Sequence, residues 1–365
     1  TLFRSQQLPQ LLTRHYAQLV ARRLRGSQRD DDEGTDWPLE RVADVYEIMA
    51  TVSDNPEVRR PAAFVAGTAQ QILARESELA EPEGNPMAAV GRDQVSATLS
   101  AALLFFIAEQ FADAYEAGGL INTGTGSAEV RRLALHVRDL VCGRVEAILD
   151  RSSRPGGARP VREGRIEERA FNRLAATLAD GIEHLARYVL SEPVDGSIGH
   201  RRQAQRNFEQ VFQLSGNETN WRGLAGVLRT SYPGPAQLAA LLLAASAGLA
   251  DASLTRLPPP TGADEDFWKG WLRFRAQSNP YVWQNHREAI AEDFHQVGRN
   301  AVLVLPTGAG KTTVSTLKIA STLASGKKVI FLAPTHALAE QVTDDLQGLF
   351  PADRFGMQVS GEFDS

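Results

Sequence analysis

Cysteine is almost missing: Cys142 is the only one in 365 residues. One thiol cannot build a disulfide framework or a thiolate metal cluster within the chain, which fits a reducing, cytoplasmic setting. Cys142 itself reads as a small buried hydrophobe in a helix. An excess of positive charge is missing too. Lys and Arg number 39 against 44 Asp and Glu, for a formal net charge of -5. Bulk attraction to a polyanion is therefore excluded, and any nucleic-acid surface must be a local basic patch. No apolar run reaches the ~20 residues that span a bilayer. The longest, Leu238 to Ala250, is rich in alanine and reads as a buried helix, so no membrane partner is expected. Thr1 to Gln10 lacks the apolar core of a secretion signal, and the absent initiator methionine suggests a trimmed or partial chain. The remainder is ordinary for a globular protein, at 43% hydrophobic and 23% charged residues, and the length allows two or three domains with real cores.

From Gln6 to about Val211 the pattern is mostly helical, and strand-like alternation is nearly absent. Leu8, Leu11, Leu12, Leu19 and Leu24 recur at helical steps up to a stop at Gly26. Asp36 before Pro38 signals a second helix, with Val42, Val45, Ile48 and Met49 as its apolar stripe. Further stripes are Phe64, Val65, Ile72 and Leu73; then Leu99, Leu103, Phe106, Ile107 and Phe111; then Leu133, Val137, Leu140, Val141 and Ile148. Residues 1–150 are thus expected to form the first part of a helical accessory domain. Residues 151–165, rich in Arg, Gly and Pro, form a linker or exposed loop, and 166–256 form the second helical part. Pro258-Pro259-Pro260 cannot continue a helix, which marks 257–265 as a linker between domains.

After Asp264 the texture changes. Helical patterns at Phe267–Phe274, Arg287–Phe294, Lys311–Ala324 and Ala337–Phe350 alternate with strand-like runs at Ala301–Leu305, Val329–Ala333 and Met357–Ser360. Such alternation predicts a parallel sheet over 266–365, and the first two runs are apolar throughout, as in strands covered on both faces.

Between the first run and its helix lies Pro306-Thr307-Gly308-Ala309-Gly310-Lys311-Thr312-Thr313. Strand, glycine turn, Gly-Lys-Thr and helix, in that order, is the context of a phosphate-binding loop. Gly308 and Gly310 let the backbone curl so that amide N–H groups, from Thr307 and Ala309 through Thr313, face a triphosphate. The helix N-terminus adds its positive end. Lys311 is expected to reach the β- and γ-phosphates of ATP, and the Thr312 hydroxyl to hold Mg²⁺. The strict pattern asks for glycine at position 305, where this chain has Leu305.

Four segments carry a resemblance to superfamily 2 nucleic-acid helicases of the DEAD/DEAH-box kind. Pro306–Thr312 resembles their motif I. Ala333-Pro334-Thr335-His336-Ala337-Leu338-Ala339-Glu340-Gln341 resembles motif Ia, with His336 in place of the usual arginine. Trp283–Ile290 resembles the adenine-recognition segment, with His286 where the family has glutamine. Val359-Ser360-Gly361-Glu362 resembles the turn that follows motif Ia. The resemblance implies a RecA-like motor domain, ATP and Mg²⁺ as cofactors, and strand contacts from Pro334, Thr335 and His336. It implies base contacts from Trp283 and from either His286 or Gln284. It stops before the acidic motif II and the second motor domain, so this stretch alone is expected to be inactive and the natural protein to continue beyond Ser365.

The whole then reads as a helical N-terminal region followed by the first part of an α/β RecA-like P-loop domain. The expected activity is an ATP-dependent helicase or translocase on DNA or RNA, DNA favoured, in bacterial genome defence or maintenance. The alternative is a nucleic-acid-sensing ATPase switch whose helical region docks and restrains an effector such as a nuclease. That layout is similar to helicase subunits of anti-phage systems of the Hachiman type. In the helical region, Arg151, Arg154, Arg159, Arg162, Arg165, Arg169 and Arg173 form a basic stretch, read as a nucleic-acid track or as a solvated face balanced by Glu163, Glu167 and Glu168. Trp221, Trp268 and Trp271 are expected to be packing anchors.

Overall fold

The computed structural model describes residues 7–25, 37–80, 87–153, 165–194, 197–216, 218–219, 228–229, 232–305 and 310–356. It divides into two compact units, Thr1–Asp251 and Ala252–Ser365.

The first unit is a helical assembly: α1 (Leu8–Arg25), α2 (Leu39–Val52), α3 (Pro56–Ala80), α4 (Ala97–Ile107), α5 (Phe111–Gly119), α6 (Ala128–Val141), α7 (Val145–Ser153), α8 (Ile166–Val189), α9 (His200–Gly216) and α10 (Pro233–Ala252). Ser96 and Ser127 cap α4 and α6, their hydroxyls accepting from the amides of Leu99 and Val130. The centre is α4, apolar on every side and buried from Leu99 to Ile107. Helices α2, α3, α4 and α5 pack each against the next in chain order, and α8 packs on both α6 and α9. By length and composition α10 is apolar enough to cross a membrane. Its Leu238, Leu241, Leu242 and Leu249 are buried in this unit, however, and Gln237 donates to Glu47 Oε1 at 2.7 Å, so it serves as a core helix. Burial of Glu47 pushes its carboxyl pKa up, against the lowering effect of hydrogen bonds from Gln237 and Gln70.

Two stripe residues fall outside the core: Leu24 and Ile48 are exposed. Cys142 ends α6 rather than lying within it, is partly exposed, and points its thiol at the Tyr115 carbonyl at 3.6 Å. The basic stretch is partly consumed by structure. Arg151 pairs with buried Asp139, and farther along the chain Arg201 donates to the Ser246 carbonyl at 3.1 Å. Trp221 and residues 154–164 lie outside the described residues.

The second unit begins with a single 3-10 turn, Leu254–Arg256, followed by α11 (Glu265–Ala276), α12 (Gln284–Ala291), α13 (Lys311–Ala324), α14 (His336–Leu349) and α15 (Ala352–Phe355). Asp264 caps α11 by accepting from the amides of Asp266 and Phe267. Trp268 and Trp271 are the anchors of this core, each 1% exposed. Their indole N–H groups donate to the carbonyls of Leu257 (3.3 Å) and Leu349 (3.1 Å), and Phe350 stacks on Trp271 with ring centroids 5.5 Å apart.

The expected parallel sheet of a RecA-like domain is not present among the described residues. Residues 301–305 and 329–333 are not strands. The only strand pairing described is the two-residue antiparallel couple Glu218–Thr219 and Leu228–Arg229. The reason is physical. An apolar run becomes a buried strand only when neighbours bond its amides and carbonyls and when layers cover both faces. Here Val302, Val304, Ile330 and Leu332 are 85–90% exposed, so one face of each run is left uncovered. Met357–Ser360 lies outside the described residues.

Candidate nucleotide-binding site

The site is built at the start of α13. Gly310 holds the N-cap position with φ 77° and ψ 34°, the left-handed region that side chains rarely adopt. A second constraint acts on the same residue. A Cβ there would overlap the His286 ring, meeting Nε2 first and Cε1 at 2.7 Å. Glycine is thus required at 310 by both backbone and packing. Lys311, Thr312 and Thr313 follow in the first helical turn and are exposed, so their amides, the Lys311 ammonium and the Thr312 hydroxyl face outward from a helix N-terminus.

The opposite face anchors the helix. Val314, Leu317, Ala320 and Ala324 are buried, the Thr316 hydroxyl donates to the Thr312 carbonyl at 2.7 Å, and Lys318 and Ser321 donate to the carbonyls of Gln296 and His295. Burial lowers the pKa of both Lys318 and His295.

His286 reaches Gly310 from the first turn of α12. The ring is 2% exposed and lies nearly parallel to Trp283, with centroids 5.6 Å apart and planes 7° from coplanar. Trp283 is the N-cap residue, and its carbonyl accepts from the amides of His286 and Arg287 at 3.1 Å. The start of α12 is pinned from behind. Val282 N–H donates to the Ala252 carbonyl at 2.7 Å, Leu254 N–H to Pro280 at 2.8 Å, and the Arg287 guanidinium to the Val282 carbonyl at 2.8 Å. Gln284 points elsewhere: it is exposed and donates to Glu288 Oε1 at 2.9 Å.

The structure therefore brings Trp283, His286 and Gly310 together, with Lys311, Thr312 and Thr313 next in line. Thr307, Gly308 and Ala309 lie outside the described residues. Pro334, Thr335 and His336 are exposed at the start of α14, where the Thr335 hydroxyl accepts from the Leu338 amide at 3.3 Å. Sequence reasoning missed the His286–Gly310 contact, because a substitution in one motif carries no information about its distance from another.

The residues present fit a Mg²⁺-bound triphosphate: a glycine turn that no Cβ can enter, outward amides, one ammonium and one hydroxyl. No group of three or more His, Cys, Asp or Glu suited to a metal exists among the described residues.

No curated protein matches the chain. Residues 279–365 match the family model described as the type III restriction enzyme res subunit, a helicase-family domain of superfamily 2, and the match supports a superfamily 2 helicase-like protein, which at that general level uses ATP and acts on nucleic acid.

Proposed function

We propose that this chain contributes the nucleotide grip of an ATP-dependent helicase or translocase acting in the cytoplasm on DNA or RNA, DNA being favoured. The observation that carries the reading is the left-handed Gly310 opening α13, with exposed Lys311, Thr312 and Thr313 after it and His286 packed behind it. In this reading Thr307 to Thr313 donate backbone N–H groups to the phosphates and Lys311 neutralises charge at the γ-phosphate. The Thr312 hydroxyl would hold Mg²⁺, which would supply neutralisation of the phosphate charge. Trp283 and Gln284 line the base side, and His286 lies against Gly310. Pro334, Thr335 and His336 grip the strand, because the exposed amides of a helix N-terminus suit backbone phosphates. A place in bacterial genome defence, with an effector such as a nuclease as partner, draws its support from the layout of a helical unit preceding a motor segment.

The test is ATP hydrolysis by the full-length protein with and without polynucleotide. Single- or double-stranded DNA or RNA is expected to raise turnover about tenfold or more, and the effect should fall steeply with salt as phosphate contacts are screened. Hydrolysis indifferent to every polynucleotide at low salt would rule out the helicase and translocase reading.

A further inference from the structure

We propose that His286 is a positioning residue for the phosphate loop and does not read the base. The inference rests on the nucleotide-binding reading above and deepens it. Three observations carry it. The Nε2–Cε1 edge of the ring lies against the Cα of Gly310, so close that a methyl group there would overlap it. The ring is 2% exposed, and its other nitrogen, Nδ1, is buried as well. Trp283 covers one ring face in a nearly parallel stack. A side chain reads a base through an accessible donor or acceptor edge. Here one edge is spent on the loop and the other is enclosed. Gln284, by contrast, is exposed, with its amide at the helix surface beside Glu288.

The mechanical consequence follows from the geometry. Gly310 sits in a left-handed conformation, and the planar ring behind it blocks the backbone from relaxing toward the α12 side. The turn that aims the amides of Lys311 and Thr312 is thereby held before a ligand arrives, and pre-organisation of this kind lowers the ordering cost of binding. The contact is with the part of the loop that meets phosphate, so its effect is common to every nucleoside triphosphate.

The experiment uses the full-length protein and three probes, each with Mg²⁺: ATP, GTP and inorganic tripolyphosphate, which has no base. Equilibrium dissociation constants are measured for wild type, His286→Ala and His286→Phe. His286→Ala is expected to weaken all three by a similar factor of about ten, leaving the ATP-to-GTP ratio unchanged within about twofold. His286→Phe retains a ring behind Gly310 but has no nitrogen, and is expected to keep all three constants within about threefold of wild type. A loss confined to ATP in either variant overturns the proposal, as does His286→Ala binding all three like wild type. The failure of the underlying reading looks different: wild type itself would then bind none of the three.

Discussion

Lys311→Ala in the full-length protein is expected to reduce ATP turnover by at least about 100-fold while leaving the fold intact. Lys311 is exposed in the first turn of α13, immediately after the left-handed Gly310, and its side chain takes no part in the buried face formed by Val314, Leu317 and Ala320. On the proposed reading, truncating it removes a cationic side chain that would lie beside the phosphates. Removing a single group that stabilises transition-state charge typically costs ~10²–10³ in kcat. Stability should change by no more than about 0.5 kcal/mol, as for other surface substitutions. Steady-state phosphate release together with thermal melting checks both halves. Turnover equal to wild type would refute the assignment of the loop, and a collapsed melting transition would mean that Lys311 has a structural task not seen here.

The second large effect belongs to the helical unit. Gly234, in the first turn of α10, packs directly on the short hairpin around the Val90–Val95 bridge. A Cβ at 234 would overlap the carbonyl oxygen of Gly91 and lie 3.0 Å from that of Gln94. Both obstacles are backbone, and the Gly234 amide is committed to the Arg92 carbonyl at 3.0 Å, so neither side can swing away. The same junction is tied by Arg92 over the Tyr232 ring at 5.2 Å and by the Val95 amide donating to Gln237 at 3.3 Å. Gly234→Ala is therefore expected to destabilise this unit by about 3 kcal/mol, at the upper end of overpacking costs, a fall of roughly 6–12 °C in Tm for a unit of this size. Gly248→Ala is the control in the same helix. Its Cβ would meet nothing nearer than Glu109 Oε1 at 4.0 Å, so relief of glycine's helix penalty should stabilise by up to about 1 kcal/mol. Opposite signs for one chemical change along one helix are the expected signature; equal effects would contradict the close approach.

The contrast between helices and strands shows what was legible in the sequence. Helices announce themselves locally. Leu99, Leu103, Phe106 and Ile107 recur at helical spacing and all are buried in α4, and Gly310 before Lys311 marks the start of α13. Strands depend on partners that local sequence does not supply. The runs 301–305 and 329–333 have the apolar texture of buried strands, yet among the described residues neither has a ladder, and Val302, Val304, Ile330 and Leu332 are exposed. Even helical stripes overreach at their margins, since Leu24 and Ile48 have the right spacing but nothing to pack on. The polar core was invisible for a related reason. Glu47 and Gln237 are 190 positions apart, and no periodicity links two polar residues whose bond joins α2 to α10. In the candidate site, residue types at 310–313 followed from the chemistry of phosphate recognition. The way His286 abuts Gly310 depended on where α12 lies, which only the three-dimensional arrangement reveals.

Amide hydrogen exchange of the full-length protein, with and without Mg²⁺ and a non-hydrolysable ATP analogue, tests the nucleotide grip most directly. Slowed exchange in peptides spanning 305–316 and 283–290, abolished by Lys311→Ala, is the predicted result. Exchange in those peptides that is identical at zero and saturating nucleotide would contradict the account.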